Sequence, residues 1–431
     1  MGLTAAVVAV LAGVASAGET PADRPPAERP SAIHHDAFHV HETDTLTDEW
    51  FGTGRVFQER GFSLKLTTTQ VYQDVARGGL ATRRHKGRYA GSYDLEFEAD
   101  MDKVAGLRGG TVYALAEGGW SDGIDPPSLG SLGGANGDAI GALSLRLSEL
   151  HYTQSFLDDR IRLRAGKIDL TGGIECRGCL VAFDSNAFAN NEISQFINGA
   201  MVNNPSIPFP EQGIGALAVV QPLEWWYVAA GIGDAQADAR ETGFNTAFRG
   251  RDYSLSLVET GALVDLPSAR GPLHGAYRVG LWYDPQPKAR FDGRGDQRDD
   301  AGLYGSFDQV LVKENEDPKD VQGLGAFARF GFADRRVNPV RFFWSAGAQY
   351  AGPISGRDAD VLGIGLARSR LADDPGAGFT AAHETVVEAY YRIAVMRWLH
   401  VSPHVQFIAN PGGLREVRDA TVVGVRVQAA F

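Results

Sequence analysis

The chain has 431 residues, among them 53 Gly, 22 Phe, 13 Tyr and 7 Trp, with a net charge of −12. With 22% charged and 44% hydrophobic residues, its composition is not that of a disordered chain. The acidic balance excludes ordinary nucleic-acid binding, and the lack of any apolar run of about 18 residues excludes a helical membrane protein. Glycine and aromatics are spread evenly. That suggests one large all-β object rather than a string of soluble domains.

The first element is an address. Residues 4–17 are apolar and end in Ala15-Ser16-Ala17, the small-x-small pattern of a signal-peptidase site, although no Lys or Arg precedes them. Residues 1–17 are therefore expected to be a cleaved secretory signal. Residues 18–60 follow as a His- and Pro-rich periplasmic segment, expected to be flexible. His34, His35, His39 and His41 could attract a metal, but no Cys or carboxylate pair fixes a geometry there. No metal or other cofactor is assigned.

From residue 61 to 431 the chain alternates with period two, broken by Gly, Pro and Asp clusters. Candidate strands fall at about 62–75, 89–101, 110–120, 142–156, 161–170, 213–221, 225–233, 253–265, 275–284, 303–311, 323–332, 342–350, 360–367, 384–395, 400–408 and 420–431. In the second, Tyr93, Leu95, Phe97, Ala99 and Met101 share one face, with Ser92, Asp94, Glu96, Glu98 and Asp100 on the other. Four acids on one side of a strand suit a wide, wet interior better than a packed sandwich. In 275–284, Tyr277, Val279, Leu281 and Tyr283 oppose Arg278, Gly280, Trp282 and Asp284. In 384–395, Val387, Ala389, Tyr391, Ile393 and Val395 point outward, and Glu384, Val386, Glu388, Tyr390 and Arg392 inward.

Sixteen such segments predict an all-β, 16-stranded antiparallel transmembrane β-barrel in a bacterial outer membrane, with both chain ends on one side. Short turns at 157–160 and 221–224 contrast with the long outer loop 171–212, and 233–252 and 409–419 also suit the outer side. The 312–322 connection is longer than a simple turn and suits the other side less well. Phe431 closes the last outward face (Val423, Val425, Val427, Ala429), as the signal read by the barrel-assembly machinery would. Cys176 and Cys179 are the only cysteines. A secreted location favours a disulfide between them in an outer loop. Free thiols and metal ligation are the alternatives.

Several stretches carry a family resemblance. Arg164-Ala165-Gly166-Lys167-Ile168-Asp169 resembles the R-x-G-K-x-D stretch of the carbohydrate-selective, OprB-type porins. The following loop resembles theirs as well, through Asn186 to Asn191, Gln195-Phe196, Asn203-Asn204-Pro205 and Pro208-Phe209-Pro210. Gly352-Pro353 with Gly356-Arg357 and Asp360 is similar to their G-P-x-x-G-R-x-x-D turn. Glu384, Glu388, Tyr390-Tyr391, Pro403, Gln406, Ile408, Asn410-Pro411-Gly412 and Gly424-Val425-Arg426 are similar to their C-terminal block. The resemblance spans about residues 50–431. It implies passive diffusion of mono- and oligosaccharides in preference to ions. Cys176-Arg177-Gly178-Cys179 and the short His-rich segment depart from the pattern.

A sugar needs hydroxyl partners and an apolar face to stack on, held weakly enough to let go. The inward faces offer such groups in Asp94, Glu96, Arg278, Trp282, Glu388, Tyr390, Arg392, Gln406 and Arg426. Interior charges can equally form a salt-bridged lining that contacts no solute. Loop 171–212 is the candidate constriction, or else packs against the wall. No G-x-S-x-G, H-E-x-x-H or Walker loop is present, so an enzyme is not expected. The alternatives are a general or differently selective pore and, from another class, a barrel enzyme or adhesin. The expected partners are carbohydrates, outer-membrane lipid and lipopolysaccharide, in a monomer or homotrimer.

Overall fold

The structure, a computed structural model, describes residues 45–80, 87–171, 183–238, 244–248, 250–317 and 319–431. Residues 1–44, with the expected signal and the four clustered histidines, and Cys176 and Cys179 lie outside the described residues. Sixteen antiparallel strands close into one barrel. They are β1 (Phe62–Gly79), β2 (Arg88–Asp100), β3 (Gly110–Trp120), β4 (Leu143–Phe156), β5 (Ile161–Ile168), β6 (Gly213–Leu223), β7 (Trp226–Asp234) and β8 (Ser254–Leu266). The second half comprises β9 (Leu273–Asp284), β10 (Asp300–Lys313), β11 (Gly323–Phe332), β12 (Val340–Ala351), β13 (Val361–Leu371), β14 (His383–Met396), β15 (Leu399–Ala409) and β16 (Arg418–Ala430). Each sequence-derived strand has its counterpart.

Each strand pairs with its chain neighbours, and β16 pairs with β1 to close the ring, with Val71 opposite Arg426 and Thr67 opposite Ala430. Closure leaves no sheet edge unpaired, which is what a strand in hydrocarbon requires. The alternation is clear in β9. Outward Val279 and Leu281 are 49% and 60% exposed, whereas inward Arg278 and Trp282 are almost wholly buried. Apolar side chains here face outward and charged ones inward, the reverse of a soluble protein, as a lipid surround demands.

One end carries the start of β1, the end of β16 and short connections at 101–109, 157–160, 224–225, 267–272, 314–322, 352–360 and 397–398. The 314–322 turn therefore fits that end, alongside connections of similar length. The opposite end carries the long connections, above all 121–142 and 169–212. Before β1, two short helices, α1 (Asp48–Phe51) and α2 (Thr53–Glu59), occupy part of the segment expected to be flexible. The Trp50 indole there donates to the Leu64 carbonyl at 2.9 Å.

The core lies inside the barrel, between the wall and the loops folded into it. Phe188, Phe196 and Met201 of the 183–212 segment pack with Phe327, Phe343 and Tyr390 of the wall. Phe183 and Ile207 pack with Tyr227, Trp282 and Tyr304. Glycines on the inner face make room for them. A Cβ on Gly325 would lie 2.0 Å from the Phe188 ring, one on Gly231 would lie 2.4 Å from Phe183, and one on Gly363 would lie 2.3 Å from Tyr390. Part of the glycine excess thus clears docking surfaces for aromatic side chains.

Candidate functional site

Two connections enter the lumen from the loop end. Segment 183–212 is tied to the wall at many points. Arg329 pairs with Asp184 at 3.3 Å and donates to the carbonyls of Met201 and, at 3.0 Å, Val202. Ser306 donates to the Ser185 carbonyl at 2.6 Å, Gln349 to that of Phe188 at 2.7 Å and Asn204 to that of Phe330 at 3.1 Å. Arg426 donates to the carbonyls of Glu192 (2.5 Å) and Gln195 (2.9 Å). Glu388 accepts the backbone N–H groups of Ile197 (2.8 Å) and Asn198 (2.9 Å). Irregular backbone inside a barrel has lost water as a partner, so wall side chains must supply these bonds.

Segment 121–142 is held in the same way. Gln73 and Gln406 each donate to the Ala135 carbonyl at 2.8 Å, and Glu384 accepts from Ser131 Oγ and Leu132 N at 3.0 Å. The two loops also bond to each other, Gly137 N to Ile197 O at 2.7 Å and Gly199 N to Gly134 O at 3.1 Å. Burial pushes the Asp125 carboxyl up to about 6, against backbone N–H groups of Ala135 and Ser131 that pull it down. Burial likewise lifts Asp184 to about 7, opposed by Arg329 and assisted by Glu259, and Glu192 to about 7.

The inserts cover much of the wall: Lys65, Glu96, Glu98, Tyr113 and Glu117 of β1–β3 stay partly open, whereas Arg146, Glu149, His151, Arg164 and Lys167 of β4 and β5 are buried. Lys65 and Glu96 pair at 3.3 Å, and Tyr113 Oη lies 3.4 Å from Glu96. Glu98 is exposed. Arg146 binds Glu117 at 2.9 Å and reaches Glu211, on the strand-side end of the long loop, at 3.7 Å. Arg164 donates to Thr153 Oγ1 at 3.2 Å. Donors and acceptors are interleaved here, with partly exposed Tyr113 among them.

The sequence-selected residues separate into groups. Asp94 and Glu96 are on β2 beside this open wall, Asp94 buried against Thr67 Oγ1 at 3.5 Å. Glu388, Tyr390, Gln406 and Arg426 come together, but beneath the long loop. Gln406 accepts from Asn198 at 2.9 Å, and the Arg426 guanidinium lies 6.0 Å from the Tyr390 ring centre. Arg392 is buried two positions further along β14. Arg278 is buried in an ion pair with Asp308 at 2.5 Å, and Trp282 is buried with Lys288 over its ring at 5.7 Å. Arg146, Glu117, Lys65, Tyr113 and Glu211 were not singled out in the sequence. For Arg146 the register shift between Leu115 and Ala116, which leaves Ser148 of β4 without a cross-strand partner on β3, breaks the two-residue period that would have placed it. Among the described residues, no group of three or more His, Cys, Asp or Glu could hold a metal ion.

A closed 16-stranded barrel, apolar outside, with charged walls and loops folded into its lumen, is an outer-membrane diffusion porin. The chain belongs to the carbohydrate-selective porin, OprB family, which matches residues 84–431. It is 24% identical over 424 residues to Porin B of Pseudomonas aeruginosa, covering 89% of this chain and 90% of that one. It is 21% identical over 423 residues to the putative porin QuiX of Acinetobacter baylyi, covering 90% and 93%. The high-pH structure of Pseudomonas putida OprB superposes with a TM-score of 0.75 at 21% identity, over 90% of this chain and 99% of that one. The protein is thus a sugar-selective porin of the outer membrane, and its family is not an enzyme class.

Proposed function

We propose that sugars cross along the charged wall of β1–β5, and that Glu96, Glu117, Arg146 and Glu211 exchange hydrogen bonds with their hydroxyls. The supporting observation is the Glu117–Arg146–Glu211 group, where a buried five-donor guanidinium joins two carboxylates that remain partly open, Glu211 by half. Asp94 borders the same path. The other sequence-selected residues, Glu388, Tyr390, Gln406, Arg426, Arg392, Arg278 and Trp282, act indirectly, by fixing the inserts that narrow the lumen. Binding on such a wall is weak, because every group already has a protein partner, and that suits conduction.

The test is ion-current block by a panel of mono- and disaccharides in planar bilayers. Arg146→Ala is expected to weaken sugar block while leaving the barrel heat-modifiable in SDS. Unchanged block, or liposome swelling that ranks sugars and sodium salts by size alone, would sink this reading in favour of a general pore.

A further inference from the structure

A charged cavity of about 530 Å³ lies at the loop end, outside the lumen wall just described. It is built by the 285–299 connection, a small hairpin in which Lys288–Ala289 pairs with Asp296–Gln297, and by the 333–339 connection. Gly293 and Gly295, at φ 70° and 91°, turn the hairpin tip. Arg290, Arg294, Arg298 and Arg336 line the cavity, with Gln297, Asp296, Asp299 and Asp334.

The chain carries a net charge of −12, yet 285–299 and 333–341 together hold seven basic residues (Lys288, Arg290, Arg294, Arg298, Arg335, Arg336, Arg341). They hold four acidic ones (Asp292, Asp296, Asp299, Asp334). Some of that charge is spent internally. Arg290 forks onto Asp292 (2.9 and 2.5 Å), Arg336 onto Asp334 (3.0 and 2.5 Å), and Lys288 sits between Asp284 and Asp300. Arg335 and Arg341 share Asp373. Two guanidiniums stay available. Arg294 has an 81% exposed side chain and only a 3.8 Å approach to Asp292, and among the described residues exposed Arg298 has no hydrogen-bond or ion-pair partner.

The floor of the cavity faces the lipid side. Ala301, which lines it, is exposed and pairs with Tyr283 on the outward face of β9. The next outward residue of β10 is Leu303, 38% exposed, opposite Phe332, 44% exposed, whose ring stacks on Phe342 at 4.5 Å. A ligand on this surface meets guanidiniums, carboxylates and an amide, and beyond Ala301 the lipid-facing Leu303 and Phe332. That combination suits an amphiphile with a phosphorylated sugar head.

We propose that this cavity binds the phosphorylated disaccharide headgroup of an outer-leaflet glycolipid. Arg294 and Arg298 take a phosphate, Gln297 and Asp296 take sugar hydroxyls, and the acyl chains lie along Leu303 and Phe332. Arginine forks suit phosphate because two parallel N–H groups match two oxygens.

The test uses the full-length protein in detergent with four probes: diphosphorylated lipid A, its dephosphorylated form, the free disaccharide and inorganic phosphate. Binding is read by native mass spectrometry and confirmed by thermal shift. Diphosphorylated lipid A is expected to bind best. The double variant Arg294→Glu/Arg298→Glu should lose about tenfold or more of that affinity. Arg415→Glu, an exposed arginine on another loop at the same end, should lose none. Heat-modifiability and sugar conduction should be wild-type in both, which separates this site from the pore. Equal binding of dephosphorylated lipid or free disaccharide would overturn the proposal. So would displacement of the lipid by millimolar inorganic phosphate, or an unaltered double variant.

Discussion

Glu388 and Ile197 stand 191 residues apart in the chain, yet the carboxylate of one accepts the backbone N–H of the other at 2.8 Å. The second Glu388 oxygen accepts from Asn198 N at 2.9 Å. A strand residue thus replaces the water that a loop backbone would use outside. Hydrogen bonds to a charged acceptor contribute about 1.5–3 kcal/mol each, and an unpartnered buried N–H costs a comparable amount. Glu388→Ala should therefore free the central part of the insert without opening the barrel. Single-channel records are expected to show higher and noisier conductance. Glu388→Gln keeps one acceptor and should fall between. Quiet, wild-type currents from Glu388→Ala would mean the insert is held elsewhere.

Tyr390 is almost wholly buried and meets the edge of Phe196 at 5.2 Å and 88°. Truncating a buried aromatic to Ala costs about 3–5 kcal/mol. Tyr390→Ala should loosen the insert, raising conductance and altering sugar block together. A stacking platform for sugar would instead change block alone. Tyr391, whose hydroxyl donates to Asp360 at 2.8 Å in a turn at the short-connection end, is the control and should change neither.

The sequence reveals what is local. In 275–284 each side chain meets either lipid or interior, so two-residue alternation records the contrast, and all sixteen strands can be read this way. Closure follows from their number and from Phe431, whose N–H reaches Leu66 O at 2.9 Å across the β1–β16 seam. What alternation cannot separate is an inward residue that meets water from one that meets a loop. Glu96 and Glu388 look alike in sequence, both acids on an inward face. Only the docking of 121–142 and 183–212 makes one part of the open wall and the other an anchor, and docking is decided by contacts over a hundred residues away. Arg146 was hidden for a different reason, the register shift at Ser148 beside it.

Asp125 in the 121–142 insert should make that loop's docking depend on pH. Its carboxyl rises from an ordinary 3.8 to about 6 because it is buried. A raised folded value means that the stabilising, protonated form is complete below about pH 4 and is lost as pH rises through about 6. Two units correspond to about 3 kcal/mol of docking free energy. Open-channel flicker is expected to fall as pH is lowered from 7.5 to 4.5. Asp125→Asn should flatten that dependence. Flicker that grows on acidification would contradict the sign.

Phe431 separates assembly from stability. Deleting it removes one seam bond, to Leu66 O, worth about 1 kcal/mol. Refolded in detergent, the shortened protein should keep nearly wild-type resistance to SDS. We propose that the barrel-assembly machinery reads Phe431, so in cells the surface level of the shortened protein should fall sharply. Normal surface levels would show that the terminal aromatic carries no such signal.

Gly325 tests whether the missing side chains of the inner wall set the bore. It lies on β11 under the loop, and an added Cβ would sit 2.0, 2.2 and 2.6 Å from three atoms of the Phe188 ring. A ring cannot yield as a flexible chain can, so Gly325→Ala must move Phe188. The Phe188 carbonyl is held by Gln349 at 2.7 Å, so the strain passes into the backbone of the loop. Gly365 offers a graded comparison. There the nearest atom is the methyl end of Met201 at 2.2 Å, which can swing aside. Overpacking of this kind costs about 1–3 kcal/mol. Gly325→Ala should therefore shift single-channel conductance and sugar block clearly, and Gly365→Ala less. Both should remain heat-modifiable barrels, because the strand ladders are untouched. If the two substitutions leave conductance equal to wild type, the loop has enough slack to absorb a methyl group, and its position on the wall does not set the bore.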